Sequence, residues 1–179
     1  MHYKLAVIGL VAASWSAISG AQTIVASSPP SHGGWLKVTS SAPITGPCVR
    51  SRGNCFRVVI SVASATKDDV EVMAVSEVNS QLHEATGVAD SGAVCEGSKL
   101  GGLPLAESTY DMSLRRHGEP AIVSAAAPGR IVVEYGCDGP LGRGQKVSWN
   151  IVLAVNSPEG ELIKGSYSFP DTALKVAPR

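Results

Sequence analysis

Aromatic side chains are scarce in this chain: three Trp, four Tyr and two Phe in 179 residues. A platform that stacks bases or sugars needs several exposed rings, so nucleic-acid and glycan readers are poorly supplied. Charge of one sign is missing as well. Fifteen basic and fifteen acidic residues cancel, leaving no broad electrostatic footprint for nucleic acid or an anionic membrane. After the N-terminal segment no long apolar run recurs, so no later spanning helix is expected. There is no Cys-x-x-Cys or His-x-x-x-His spacing for a structural zinc and no Gly-x-Ser-x-Gly elbow for a hydrolase. No cofactor is implied, no repeat of 20–50 residues is found, and no stretch supports an amphipathic helix of three turns.

What the chain does have begins with a leader. Lys4, helped by His2, opens residues 1–21, an apolar run follows from Leu5 to Ala13, and Ser19-Gly20-Ala21 supplies small residues for cleavage. We read residues 1–21 as a secretory signal peptide, with Gln22 as the mature start. The alternative is an uncleaved anchor. Cleavage would leave 158 residues and, with Lys4 gone, a formal charge of −1. That length suits one domain.

Downstream lie four cysteines, Cys48, Cys55, Cys95 and Cys137. An even set in an exported chain reads as two disulfides rather than a thiol nucleophile or a metal cage. The sequence between Cys48 and Cys55 carries a Ser-Arg-Gly-Asn centre that can turn the chain back on itself. That predicts Cys48–Cys55 and leaves Cys95–Cys137. The expected location is periplasmic or secreted.

Period-two alternation predicts strands. Phe56, Val58, Ile60 and Val62 form one set, and Ile131, Val133, Tyr135 and Cys137 another. Val147, Trp149, Ile151, Leu153 and Val155 form the cleanest. Ile163, Gly165, Tyr167 and Phe169 follow, and residues 157–160 turn the chain between these last two. Residues 36–39, 93–95, 110–114 and 121–124 are shorter candidates. Residues 66–86 are ambiguous: valine density favours a strand first, yet Thr66 with Asp69 resembles a capping box, and 79–84 could make a helical turn. Cys95-Glu96-Gly97 and Cys137-Asp138-Gly139 echo one another as two apolar stretches that each end in a glycine-bearing loop, placed side by side. The expected fold is all-β, a single-domain antiparallel β-sandwich of about seven or eight short strands, immunoglobulin-like in broad architecture only, with a small β-barrel as the alternative. The domain would span 35–170, between a flexible arm at 22–34 and a tail at 171–179.

Tyr135-Gly136-Cys137 matches the Tyr-x-Cys stretch of immunoglobulin-like sandwiches, but Trp149 follows Cys137 instead of lying between the cysteines. Tyr135 to Gly139 is also similar to a stretch in bacterial lysozyme-inhibitor barrels. Their Ser-Gly loop follows that stretch, whereas Ser91-Gly92 precedes it here. Each match is confined to these few residues, and no family is assigned.

Among candidate sites, Asp90-Ser91-Gly92 superficially matches a protease nucleophile, yet His32, His83 and His117 stand in no triad context, so a turn is the better reading. The same histidines with Met73 and Met112 match no metal-ligand spacing. Asp68-Asp69, Glu71 and Glu159/Glu161 are read as solvated strand ends. The basic loop carries the most promise. Arg50 and Arg52 project from the closed Cys48–Cys55 loop with Arg57 just beyond, and a rigid loop presenting fork-shaped donors suits an acidic partner. Arg115-Arg116-His117 is a second, unconstrained cluster. The functional expectation is a non-enzymatic exported module that binds a protein or envelope component. The alternatives are a structural or assembly subunit and a hydrolase whose site forms only in three dimensions.

Overall fold

The computed structural model describes residues 22–28, 33–76, 86–102, 105–107, 121–156 and 160–177. The leader, residues 79–84 and residues 110–114 lie outside them. Every regular element among the described residues is a strand: β1 (Thr23–Val25), β2 (Leu36–Ser41), β3 (Ile44–Thr45), β4 (Asn54–Ser64), β5 (Val70–Ser76), β6 (Thr86–Ala89), β7 (Val94–Gly102), β8 (Leu105–Glu107), β9 (Ala121–Val123), β10 (Gly129–Cys137), β11 (Lys146–Asn156), β12 (Leu162–Ala173) and β13 (Lys175–Val176). Seven of these (β2, β4, β5, β7, β10, β11 and β12) have six residues or more. No helix among the described residues is long and apolar enough to cross a membrane.

The strands join in one hydrogen-bonded network ordered β1-β2-β4-β10-β7-β6-β11-β5-β8. β12 adds to β11, β9 to β5, and β3 links β4 to β13. The long pairings are antiparallel, and only β5–β8 and β3–β13 run parallel. Alternation explains which face turns inward. Phe56, Val58, Ile60 and Val62 of β4, Ile131, Val133 and Tyr135 of β10, and Val147, Trp149, Ile151, Leu153 and Val155 of β11 are all buried in one core. The few aromatics are spent there. Phe56 stacks on Tyr135 at 4.9 Å between ring centres and meets Trp149 edge-on at 6.1 Å. Trp149 stacks on Phe169 at 5.2 Å, so both phenylalanines of the chain lie in this cluster. Tyr135 Oη donates to the Asn150 carbonyl at 2.7 Å, tying β10 to β11 through the core.

Local irregularities have local causes. The β7–β10 register shifts between Val132 and Val133, opposite Leu100, and beyond it Gly102, paired with Ile131, adopts φ +100, where a Cβ would lie 2.0 Å from the Arg130 oxygen. The β11–β12 register shifts between Val147 and Trp149, and Pro170 lies in β12 opposite that shift, where it withholds no ladder donor.

Three local expectations change. Thr66 and Asp69 cap no helix; Ser64 Oγ donates to the Asp68 carbonyl at 2.7 Å and Thr66 Oγ1 accepts from Asp68 N, closing a turn before β5. The stretch after Cys95 is no loop, because β7 runs through Gly97 to Gly102. Cys95 therefore begins its strand while Cys137 ends its own, and the two are opposed in register. Segments on either side of the expected domain also join the sheet. Ile24 of β1 enters the core, Ser27 N donates to Ser168 O at 2.9 Å, and β13 pairs with β3.

Candidate binding site at the disulfide-closed loop

Two disulfides form, Cys48–Cys55 and Cys95–Cys137, and no cysteine is left free. They lie at one end of the β4–β10–β7 ladder. Cys137 opposes Cys95 directly, and its neighbour Gly136 opposes Cys55. The face differs. Cys95 and Cys137 share the inward parity of Tyr135 and belong to the core, whereas Cys55 shares the outward parity of Arg57. The Cys48–Cys55 bond thus holds a loop over the outer surface of the sheet.

Beneath that loop sits Glu134, the residue that sequence reasoning missed. Its place in β10 points outward, between Arg57 of β4 and Ser98 of β7, yet it has no accessible surface. Its carboxylate replaces water with loop donors. Oε2 accepts from Val49 N at 2.7 Å, and Oε1 accepts from Arg50 N and Ser51 N at 2.9 Å each and from Ser51 Oγ at 2.8 Å. Three successive backbone N–H groups converging on one anion form a nest. Arg57 Nε stands 3.5 Å from Oε2, and the Arg57 guanidinium also donates to the Pro47 carbonyl. Burial alone would raise the carboxyl pKa. The hydrogen bonds from Ser51, Val49 and Arg50 outweigh it and lower the pKa from 4.5 to about 2. Gly136 lets the loop approach so closely, since a Cβ there would lie 2.4 Å from Ser51 Oγ.

The three arginines therefore part company. Arg57 is turned under the loop and engaged internally. Arg50 and Arg52 are exposed, and among the described residues their guanidiniums make no ion pair or hydrogen bond. Both line a cleft of about 440 Å³ with Ser51, Glu96, Ser98, Gly136 and Asp138.

The remaining candidates are placed elsewhere or lie outside the described residues. Asp90-Ser91-Gly92 forms the β6–β7 hairpin turn: Gly92 N donates to Ala89 O at 2.8 Å, and Asp90 Oδ2 accepts from Lys146 N. Asp68, Asp69 and Glu71 line a separate cleft of about 540 Å³ with Trp35 and Asn156, and Asn156 Nδ2 donates to Glu71 at 2.6 Å. His32, His83, His117, Arg115, Arg116, Met112 and Glu159 lie outside the described residues, as does the side chain of Met73. No group of three or more His, Cys, Asp or Glu that could hold a metal occurs among those described. Set against protein-family models, curated proteins and solved structures, the chain finds no match.

Proposed function

We propose that this protein is an exported, non-enzymatic binding module, and that its partner is a protein or envelope component presenting an acidic group to Arg50 and Arg52. Two disulfides and an all-β fold are compatible with an oxidising extracellular compartment. We read the scaffold as a β-sandwich in preference to a closed barrel. The halves β2-β4-β10-β7 and β12-β11-β5 meet at slender seams, namely the four-residue β6, the Ser27–Ser168 bridge and the two-residue β3–β13 pairing that follows β12.

One observation carries the functional reading. The loop backbone is fixed twice, by the disulfide and by the Glu134 carboxylate, while the two guanidiniums it bears are left unpaired. A pre-ordered donor pair loses little freedom on binding, and guanidiniums match carboxylates and phosphates in bidentate geometry. Capture from envelope extract on immobilised protein tests it. The wild type should retain a partner that Arg50→Ala/Arg52→Ala loses and that elutes with salt. Identical partners for both proteins would remove the loop from the function.

A further inference from the structure

The cleft under Arg50 and Arg52 is lined by charges of both signs. Loop residues Arg50 and Arg52 form one side. Glu96 of β7 and Asp138, just past the end of β10, lie on the sheet side. Opposite charges that share a small surface usually find one another. Here no ion pair within 4.0 Å joins either arginine to either acid among the described residues. The loop backbone that carries the arginines is anchored at Val49, Arg50 and Ser51 by the Glu134 carboxylate. Glu96 is exposed and has no partner among the described residues. Asp138 uses Oδ1 to accept from Val94 N at 2.9 Å, which fixes its position at the start of β7.

The floor is equally specific. Gly136 contributes no side chain, and the Ser51 hydroxyl above it is already donated to Glu134. Val94 stands 53% exposed at the rim and offers an aliphatic contact beside the charges. A volume of about 440 Å³ falls within the range of small-molecule sites, roughly 300–1,000 Å³.

Resting on the reading of the Arg50–Arg52 loop as a binding surface, we infer that this cleft takes a small zwitterion. Its oxyanion faces Arg50 and Arg52, and its ammonium faces Glu96 and Asp138. The class comprises free amino acids, short peptides and phosphate esters of amino alcohols. Each end of such a ligand meets the charge opposite to its own, which neither a simple anion nor a simple amine can do. The acidic side also discriminates, because a polyanion that satisfied the arginines would be repelled by the carboxylates.

Chemical-shift titration of the full chain with soluble probes tests this. Alanyl-alanine is compared with its N-acetyl and C-amide forms, and O-phosphoethanolamine with inorganic phosphate and with ethanolamine. The two series separate a carboxylate from a phosphate as the oxyanion. At least one zwitterion should bind about tenfold more tightly than both of its single-charge analogues, shifting the Arg50–Arg52 and Glu96–Ser98 amides. Glu96→Gln should bring the zwitterion to the affinity of the anion alone, and Arg50→Ala/Arg52→Ala should abolish binding. Arg130→Ala, an exposed arginine at the far end of β10, should change nothing. Anionic probes binding as tightly as the zwitterions would overturn the inference and leave the acidic-partner reading standing. Failure of every probe would also overturn it. The capture experiment, read separately, then decides whether the loop binds anything.

Discussion

The two disulfides end a common set of strands and have different roles. Cys95–Cys137 joins opposed residues of β7 and β10 on the core side, bridging a sequence separation of 42. Cys48–Cys55 spans a separation of 7 on the outer side and joins nothing that the chain would not already keep close. The first bond therefore acts on the fold, by restricting the unfolded chain. The second acts on a loop, by restricting the shape that the loop presents once folded. Glu134 shows which constraint matters for presentation, since its carboxylate holds three consecutive loop amides that the disulfide does not touch.

Removing each bond should expose the difference most strongly. By loop-closure entropy, Cys95→Ala/Cys137→Ala should cost about 4 kcal/mol and Cys48→Ala/Cys55→Ala about 2.5 kcal/mol. Urea unfolding followed by far-UV circular dichroism gives both. The comparison breaks if the outer pair proves the costlier. It sharpens if the outer variant keeps the Val49, Arg50 and Ser51 amides protected from exchange, because Glu134 still holds them.

Glu134 supplies the next largest effect. Glu134→Ala would leave Val49 N, Arg50 N and Ser51 N without their acceptor and Arg57 without its ion pair, at a cost of about 3 kcal/mol. Glu134→Gln keeps the shape and one acceptor oxygen and should lose less. Titration gives the same information without mutation. The folded pKa lies below the unfolded value, so this stability is present above about pH 4.5 and is lost as pH falls through about 2. Loop-amide protection in the wild type should fade across that window while the β11–β12 amides persist. Fading of both sets together would mean that Glu134 supports the whole sheet and not the loop.

Much of the fold was legible because alternation along β4, β10, β11 and β12 directly encodes which side chains face the core. Both disulfides were legible for a related reason: a turn-forming centre closed one pair, and two strand-end cysteines remained. Glu134 was not legible. It occupies an outward position in a strand, between Val133 and Tyr135, where an acid ordinarily meets water. Three of its four hydrogen bonds come from backbone amides more than eighty residues away, and backbone donors leave no mark in a sequence. Arg57 was read with Arg50 and Arg52 because all three are near in sequence. Strand parity separates them, since Arg57 is the register partner of Glu134. The first and last of the described strands were hidden differently. β1 and β13 are three and two residues long, too short for any period to show.

The smallest expected effect bears most directly on function. Arg50 contributes its backbone N–H to the loop's order, and both Arg50 and Arg52 leave their side chains to solvent. Arg50→Ala/Arg52→Ala should therefore change unfolding stability by no more than about 0.5 kcal/mol, the range for surface substitutions away from structural contacts. Unfolding curves for this variant and the wild type should superimpose, with equal m-values. A loss of 1 kcal/mol or more would show that the guanidiniums brace the loop as Arg57 does, and that their exposure is incidental. Equal stability combined with lost binding would be the sharper result. It would place presentation in the side chains and architecture in the Glu134 nest, with the outer disulfide serving the first only by preserving the second.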